Sequence, residues 1–271
     1  MKFLKSTIIA LFTLIASSAL AQSSEIIILA HRGGCGEGME NTEGTFRKSL
    51  DANIKAFEID LRLTKDNKIV LQHDATLKRT SGIERAVEDM TEKELREVTL
   101  NDGSKLMFLD EFLTLMSNHK GLYIEFELKC KHYEEEMLKR YCDIVAKMVM
   151  EAEPKGSSYC ISSFDTRALR YIKTTYPNTD IIYITKEGCT AETLNIASAV
   201  GAKRVAARLN KTTQDDMKMA HERGFIVNLW PGRSDDTIVR AWALGADVHC
   251  TDYPIHLTDY TKKNCKWINL K

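Results

Sequence analysis

The sequence has no excess of either charge and no cluster of basic residues. Its 271 residues include 38 Lys and Arg and 38 Asp and Glu, so the formal net charge at pH 7 is zero. Proteins that bind nucleic acid neutralise its phosphates with Lys and Arg gathered on one face of the fold. The balanced, unclustered charge therefore argues against nucleic acid as a partner.

Closely spaced cysteine pairs are also missing. No C-x-x-C pair occurs, which excludes the ligand spacing of a zinc ribbon. Cys142 falls in a helical pattern, and Cys160 and Cys250 fall in strand-like runs. We therefore interpret the cysteines as small buried hydrophobic residues rather than as a disulfide framework, although export would permit disulfides. The seven are Cys35, Cys130, Cys142, Cys160, Cys189, Cys250 and Cys265.

The apolar run near the N-terminus, residues 8–15, is too short to cross a bilayer comfortably. Two lysines precede it, and a small-x-small pattern follows at residues 19–21. This arrangement predicts a secretory signal peptide, residues 1–21, with cleavage near Ala21. No cysteine follows the run closely, so we do not expect a lipid anchor. We expect an exported protein, periplasmic or secreted, without stable membrane insertion.

Neither a Pro/Ser-rich linker nor an internal repeat divides residues 22–271, which we interpret as one domain. Short β-rich runs alternate there with helical patterns. Such alternation predicts a parallel sheet covered by helices, and about eight units in this length predict an α/β fold, a TIM-type (β/α)8 barrel. The candidate strands are residues 25–30, 56–63, 68–74, 121–129, 159–164, 180–185, 203–208, 225–230 and 247–252.

The strand count leaves one strand too many, because nine candidates compete for eight places. Only four residues join 56–63 to 68–74, too few for a helical crossover between parallel strands. Either these segments form a local hairpin or one of them lies outside the barrel. Residues 75–120 are too long for a loop, and they contain a capping box from Thr91 to Glu94. We predict that they form a small insertion subdomain over one end of the barrel.

Other helix ends are signalled by polar N-cap residues and by glycine. Thr212 and Gly224 are predicted to begin and end one helix, and Ser234 and Gly245 the next. Each of these helices lies between two predicted strands, as the barrel requires.

Charged residues fall where predicted barrel strands end, the location of the working residues in this fold. Glu58 and Asp60 are two residues apart on one strand, so they point to the same face. The opposite face is apolar and suits the outer helical layer, which leaves the carboxylates inside the barrel. Because unpaired carboxylates are costly to bury, we predict one bound divalent cation, Mg²⁺ or Ca²⁺ rather than zinc.

Histidines and cations end the neighbouring strands. His31 and Arg32 follow the first strand, His73 lies near the end of the third, and Lys129 ends the fourth. We interpret His31 and His73 as a general acid/base pair. Arg32 and Lys129 would neutralise charge on phosphoryl oxygens. Such a set favours phosphodiester cleavage over hydrolysis of a neutral amide.

The loop after the first strand carries four glycines within residues 33–38. It does not fit the dinucleotide-binding G-x-G-x-x-G pattern, because Met39 takes the place of the third glycine, and it does not fit a Walker A loop. What remains is a loop almost without side chains. We expect its backbone N–H groups to approach an anion beside Arg32.

A series of short motifs runs through the chain in order: His31-Arg32-Gly33, Glu40-Asn41-Thr42, Glu58-x-Asp60, Thr64-Lys65-Asp66, His73-Asp74, Glu127-x-Lys129, Ser163-Phe164 and Thr251-Asp252-x-Pro254. Together, over residues 26–256, the series resembles the glycerophosphodiester phosphodiesterases. The resemblance implies hydrolysis of glycerophosphodiesters to an alcohol and sn-glycerol 3-phosphate, with the substrate's own glycerol hydroxyl attacking phosphorus. It implies metal ligands at Glu58, Asp60 and Glu127, acid/base catalysis by His31 and His73, and phosphate contacts at Arg32 and Lys129.

The chain departs from the family pattern at two places. Met39 stands where the family usually has proline, and Trp230 is followed by Pro231-Gly232 instead of the usual Thr-Val-Asn. We expect Trp230 to line the pocket and Glu40 to reach the metal or the substrate. Asn41 is expected to hold the glycine loop in place.

Two other functions remain open. A phospholipase D-like enzyme of the same fold would act on intact lysophospholipids and would need apolar surface beside the mouth of the barrel. Residues 75–120 contain few aromatics, Phe108 and Phe112, which argues against it. A non-catalytic phosphate- or glycan-binding barrel would be expected to have lost a histidine or a metal carboxylate, and all five are present.

Overall fold

The computed structural model describes residues 25–271, so the predicted signal peptide lies outside the described residues. The strands are β1 (Glu25–His31), β2 (Ala56–Leu63), β3 (Ile69–Leu71), β4 (Thr76–Leu77), β5 (Ile83–Ala86), β6 (Tyr123–Leu128), β7 (Ser158–Ser163), β8 (Asp180–Ile184), β9 (Arg204–Arg208), β10 (Ile226–Gly232), β11 (Val248–Thr251) and β12 (Asn269–Leu270). The α-helices are α1 (Glu43–Asp51), α2 (Lys78–Ser81), α3 (Glu92–Glu97), α4 (Leu109–Ser117), α5 (Glu135–Ala152), α6 (Thr166–Thr175), α7 (Ala191–Ala199), α8 (Gln214–Glu222), α9 (Asp235–Leu244) and α10 (Pro254–Asn264).

Eight strands form a closed parallel barrel, which confirms the predicted TIM-type fold. β1 pairs in parallel with both β2 and β11, and the ring continues through β6, β7, β8, β9 and β10. The ninth candidate, β3, runs antiparallel to β2 with Leu71 opposite Leu61. The two segments therefore form the local hairpin, and β3 lies outside the ring. β12 was not predicted; it pairs in parallel with the start of β1.

The alternation along β2 separates the apolar outer layer from the interior of the barrel. Phe57, Ile59 and Leu61 are completely buried in the apolar layer between strands and helices. Glu58 and Asp60 are also buried, but they occupy the opposite face of the strand. The acids therefore point into the barrel, above a small apolar layer formed by Leu29, Ala56, Val248 and Cys250.

The chain between β3 and α4 forms a small subdomain with its own apolar core, which includes Leu77, Val87, Leu95 and Phe108. The predicted capping box begins α3, because Thr91 and Glu94 exchange side-chain and backbone hydrogen bonds. α4 packs instead with the main barrel, where the ring of Phe112 lies edge-on to Phe46 of α1 at 4.8 Å between centroids. The inserted subdomain therefore ends before α4, short of the predicted boundary at residue 120.

The predicted N-cap residue of α8 is wrong by one position. Thr213 caps the helix and forms a capping box with Asp216. The side chain of Thr212 turns inward, donating to the carbonyl of Arg208 at 2.8 Å and accepting from the N–H of Cys189 at 3.1 Å. Adjacent threonines offer the same capping group, so the sequence does not distinguish them.

All seven cysteines lie among residues 25–271, and none of them forms a disulfide. Six are buried, as the interpretation of small hydrophobic residues required. Cys35 is the exception: it is only partly buried and lies in the glycine loop.

Candidate active site

The glycine loop leaves β1 through a sharp turn that brings Arg32 back toward β2. Arg32 has a φ of +53°, and Gly33 and Gly34 follow with φ values of +83° and +112°. The Arg32 N–H donates to Glu58 Oε2 at 3.1 Å. Its guanidinium Nε lies 3.4 Å from Asp60 Oδ2, so one residue contacts both acids through backbone and side chain.

The expectation that the loop N–H groups approach an anion is wrong. The N–H groups of residues 33–37 all donate to carbonyls of the protein, for example Gly34 to His31 at 2.9 Å and Gly36 to Asp252 at 2.8 Å. The glycines permit close packing instead. A Cβ at Gly36 would lie 2.4 Å from the ring of Tyr253, and one at Gly38 would lie 2.3 Å from Thr45 Oγ1.

Glu58, Asp60 and Glu127, here called the carboxylate cluster, meet inside the barrel. Asp60 on β2 lies directly beside Glu127 on β6 in the parallel register. One oxygen from each of the three lies within 4.8 Å of the others, and all three residues are buried. Glu58 Oε1 is buried and has no hydrogen-bond partner in the described part of the chain.

Two cations, Lys129 and Arg32, neutralise only part of the negative charge of the carboxylate cluster. Lys129 Nζ lies 2.8 Å from Asp60 Oδ1 and 2.6 Å from Glu127 Oε1. Burial would raise the pKa of Asp60, but Lys129 and Arg32 outweigh it and hold that pKa below its usual range. Burial raises the pKa of Glu58 well above normal, and the charges of Asp60 and Glu127 raise it further. Lys129 and Arg32 lower the pKa of Glu58 only in part, so Glu58 keeps a negative charge that the cluster does not fully compensate.

Both predicted catalytic histidines are oriented by carboxylates. Nδ1 of His31 lies 2.5 Å from Asp252 Oδ1, and its Nε2 lies 3.9 Å from Glu58 Oε2. Nδ1 of His73 lies 2.8 Å from Asp74 Oδ1. Both imidazoles are close enough to Asp60 to lower the pKa of that carboxyl. When each Nδ1–H donates to its carboxylate, Nε2 is left available for proton transfer.

Burial lowers the pKa of His73, and the nearby charges of Lys129 and Arg32 lower it further, against the opposing effect of Asp60. The neutral imidazole of His73 is thereby favoured.

Glu40 contacts cations rather than the carboxylate cluster. Its Oε2 accepts from Arg32 Nη1 at 3.1 Å and from Arg79 Nη1 at 2.7 Å. The neighbouring Asn41, expected only to hold the loop, donates through Nδ2 to Asp60 Oδ2 at 2.8 Å. Asn41 therefore positions a candidate metal ligand directly.

Trp230 lies at the end of β10 and packs against the apolar layers inside the barrel. Its ring lies edge-on to Phe164 at 6.1 Å between centroids, and the guanidinium of Arg208 lies 4.6 Å from the ring centre. Its indole N–H is buried without a hydrogen-bond partner among the described residues. Trp230 therefore lies inside the barrel rather than in the apolar layer between strands and helices, and its role in the pocket stays a prediction.

Asp252 and Arg79 were not predicted to have a role in the site. Asp252 ends the strand pattern of β11 and orients His31; its place in the motif series was the available signal. Arg79 lies on α2, in the inserted subdomain, and no spacing relation connects it to the strand ends. Two open surface depressions between α1 and α4 share none of the predicted site residues.

The sequence profile of the glycerophosphoryl diester phosphodiesterase family matches residues 31–256. The chain belongs to this family. The match covers every predicted site residue, from His31 to Trp230, and assigns the chain to a class of phosphoric diester hydrolases. Family members hydrolyse glycerophosphodiesters.

Two relatives are distant in sequence but extend over most of the chain, whereas a third matches a short part of it. A glycerophosphodiester phosphodiesterase of Bacillus altitudinis is 25% identical over 241 residues, covering 84% of this chain and 94% of its own. A phosphodiesterase of Oleispira antarctica, solved in complex with the product sn-glycerol-3-phosphate, has a TM-score of 0.79 at 20% identity and covers 87% and 96% of the two chains. The lysophospholipase D GDPD1 of Rattus norvegicus is 40% identical over 67 residues, only 25% of this chain and 21% of its own.

Proposed function

We propose that the protein is a metal-dependent glycerophosphodiester phosphodiesterase that releases sn-glycerol 3-phosphate and an alcohol, using His31 and His73 as acid and base. The observation that carries this proposal is the meeting of three buried acids from β2 and β6 beside two imidazoles held by carboxylates. The activity belongs to the family that the chain matches, and the product named for the Oleispira relative agrees with it.

The carboxylate cluster suits one hard divalent ion. Its donors are all oxygen, the preferred ligands of Mg²⁺ and Ca²⁺, and the buried, unpartnered Oε1 of Glu58 is a free ligand atom. We propose that Glu58, Asp60 and Glu127 hold this ion. When bound, it would supply Lewis-acid polarisation of a phosphoryl oxygen.

The chain's own residues have separate tasks in this proposal. Arg32 and Lys129, which already contact the acids, present donors and positive charge to the phosphoryl oxygens. One imidazole takes a proton at Nε2 from the attacking hydroxyl, and the other gives a proton from Nε2 to the leaving oxygen. Asp252 and Asp74 keep each ring oriented and stabilise its charged form. Trp230 closes one side of the site against water.

The two alternatives, a phospholipase D-like enzyme and a non-catalytic binding barrel, have less support. Phe108 and Phe112, the aromatics of the predicted insertion segment, are 1% and 0% exposed, so they offer no surface for an acyl chain. A non-catalytic barrel leaves unexplained why two histidines each carry an orienting carboxylate. The short match to the lysophospholipase D makes intact lysophospholipid a substrate to be included in the test.

Product analysis over a panel tests the proposal. Glycerophosphocholine, glycerophosphoethanolamine, glycerophosphoglycerol and lysophosphatidylcholine are each incubated with the protein and Mg²⁺ or Ca²⁺, and the products are separated. We expect sn-glycerol 3-phosphate from the three water-soluble diesters. Release of lysophosphatidic acid at a higher rate would favour the lysophospholipid alternative, and no turnover of any substrate would overturn the enzymatic proposal.

We also propose that the protein is exported. The N-terminal lysines, the short apolar run and the small residues before position 22 support this. Within residues 25–271, no helix combines the length and apolar character that crossing a membrane requires.

A further inference from the structure

A second group of metal-ligating side chains, His31, Cys35 and Asp252, lies beside the carboxylate cluster. One atom from each, an imidazole nitrogen, a thiol sulfur and a carboxylate oxygen, lies within 4.8 Å of the others. All three residues are partly exposed, so an ion in solution can reach them. Sulfur and nitrogen ligands select softer ions than the all-oxygen carboxylate cluster does.

The distances in this group suit a tetrahedral ion. With Zn–S near 2.3 Å and Zn–N near 2.0 to 2.1 Å, sulfur and nitrogen on one zinc stand about 3.6 Å apart. Cys35 Sγ lies 3.7 Å from His31 Nδ1. Asp252 Oδ1 lies 2.5 Å from the same nitrogen, in a hydrogen bond, and would move to about 3.4 Å when an ion replaced the shared proton.

Backbone contacts already hold the three residues together. The N–H of Cys35 donates to the carbonyl of His31 at 3.1 Å, and the N–H of Gly36 donates to the carbonyl of Asp252 at 2.8 Å. Arg233 Nε holds the other oxygen of Asp252 at 2.9 Å, which directs Oδ1 toward His31. Little chain entropy therefore remains to be lost when an ion binds.

We propose that His31, Cys35 and Asp252 bind one thiophilic divalent ion of the Zn²⁺ class, with water as the fourth ligand, and that this ion inhibits the enzyme. As the metal–sulfur bond forms, the Cys35 thiol releases its proton to water. The neutral imidazole keeps one proton, which shifts from Nδ1 to Nε2, and the ion takes the Nδ1 lone pair. His31 can then no longer alternate between its two protonation states. The inhibition rests on the proposed function, whereas the binding does not.

Calorimetric titration with Zn²⁺ in saturating Mg²⁺ tests the binding, with Cys35→Ala as the variant and Cys265→Ala, which removes a buried thiol, as the matched control. We expect the Cys35 variant to lose more than the roughly 10- to 100-fold in affinity that a supporting contact alone contributes. The Cys265 variant should bind as the wild type does. Equal affinity in wild type and the Cys35 variant would overturn the site.

Cadmium gives a second readout that does not depend on comparing folded variants. Wild-type protein titrated with Cd²⁺ should develop ultraviolet charge-transfer absorption from a thiolate–cadmium bond, with one equivalent of ion. Absence of this band in the wild type would also overturn the site.

Turnover of glycerophosphocholine in Mg²⁺ with added Zn²⁺ tests the inhibition. We expect the wild type to lose activity at zinc concentrations that leave Cys35→Ala active. Zinc binding through Cys35 without loss of turnover would overturn the inhibition alone. If the protein binds zinc through Cys35 but hydrolyses no diester, the proposed function is overturned and the zinc site is not.

Discussion

Arg79 and Glu40 form a bidentate ion pair that ties the inserted subdomain to the glycine loop. Nη1 and Nη2 of Arg79 lie 2.7 Å from Oε2 and Oε1 of Glu40. The same guanidinium donates through Nε to Asp74 Oδ2 at 2.6 Å, and the other oxygen of Asp74 accepts from His73. One exposed arginine thus connects the loop that carries Arg32 to the carboxylate that orients His73.

We predict that Arg79→Gln lowers kcat/KM by roughly 10- to 100-fold, because a misoriented imidazole reacts poorly. The free energy of unfolding should fall by no more than about 1 kcal/mol, because the Arg79 guanidinium is half exposed and the buried Glu40 keeps its ion pair with Arg32. The matched control is Arg85→Gln, an exposed pair with Glu94 in the same subdomain, which should keep full activity. Full activity of the Arg79 variant would show that Arg79 does not position His73.

Glu58→Gln should abolish binding of Mg²⁺ or Ca²⁺ without destabilising the metal-free protein. The substitution removes a buried acid whose Oε1 lacks a partner and whose pKa is raised by burial and by its acidic neighbours. Glu125→Gln is the matched control: it is also buried, but its oxygens accept from Tyr123 and Asn228. Calorimetry with each ion and urea unfolding measure the two effects. Retained affinity in the Glu58 variant would argue against it as a ligand.

His31→Ala and His73→Ala should each lower kcat by roughly 10²- to 10⁴-fold, the usual range for general acid–base catalysis. His119→Ala, at a partly exposed position just after α4, serves as the control and should be near wild type. Steady-state rates on glycerophosphocholine measure the effect. A wild-type rate in either variant would reassign that histidine to a structural role.

His249 should make the protein less stable in mild acid. Burial lowers the pKa of this histidine to about 4, with the hydrogen bond to the Leu229 carbonyl opposing it in part. An unfolded histidine titrates near about 6.5. Between these values the unfolded chain binds more protons, so the free energy of unfolding rises with pH. The contribution is fully present above about pH 6.5 and is lost as the pH falls toward 4.

Urea unfolding at pH 7 and pH 5 measures this effect. We expect the contribution of His249 to fall by roughly 2 kcal/mol between the two values, and we expect His249→Gln to lose that part of the pH dependence. His132→Gln, at an exposed position, is the matched control. If the free energy of unfolding changes with pH equally in the His249 variant and the wild type, His249 is not the source of this pH dependence.

Expression with the native N-terminus in a secreting host should yield mature protein that begins at Gln22. The expected mass is that of residues 22–271, measured on intact protein and by N-terminal sequencing. Protein that keeps residues 1–21 after export would contradict the predicted cleavage.

The sequence predicted those features that follow from strict periodicity. Alternation on β2 places Glu58 and Asp60 inside the barrel, because side chains on a strand alternate and the outer face must be apolar. The four-residue link between residues 63 and 68 left open a local hairpin or a strand outside the barrel, and β3 proves to be both. Thr212 failed as an N-cap because its neighbour offers the same group.

The remaining features depend on contacts that are distant in sequence. The glycine loop was predicted to present N–H groups to an anion, yet its glycines are required by packing against Tyr253 and Thr45. Arg79 reaches Glu40 across 39 residues, and its direction is set by the fold of the inserted subdomain. No pattern of neighbouring residues in the sequence predicts either arrangement.

The proposed function requires that the carboxylate cluster holds one divalent cation during diester hydrolysis. The most direct measurement is release of sn-glycerol 3-phosphate from glycerophosphocholine by protein treated with EDTA, before and after addition of excess Mg²⁺ or Ca²⁺. We predict no release in chelator and full recovery with one of the two ions. Undiminished release in chelator, from protein shown to be metal-free by elemental analysis, would overturn the proposed metal dependence.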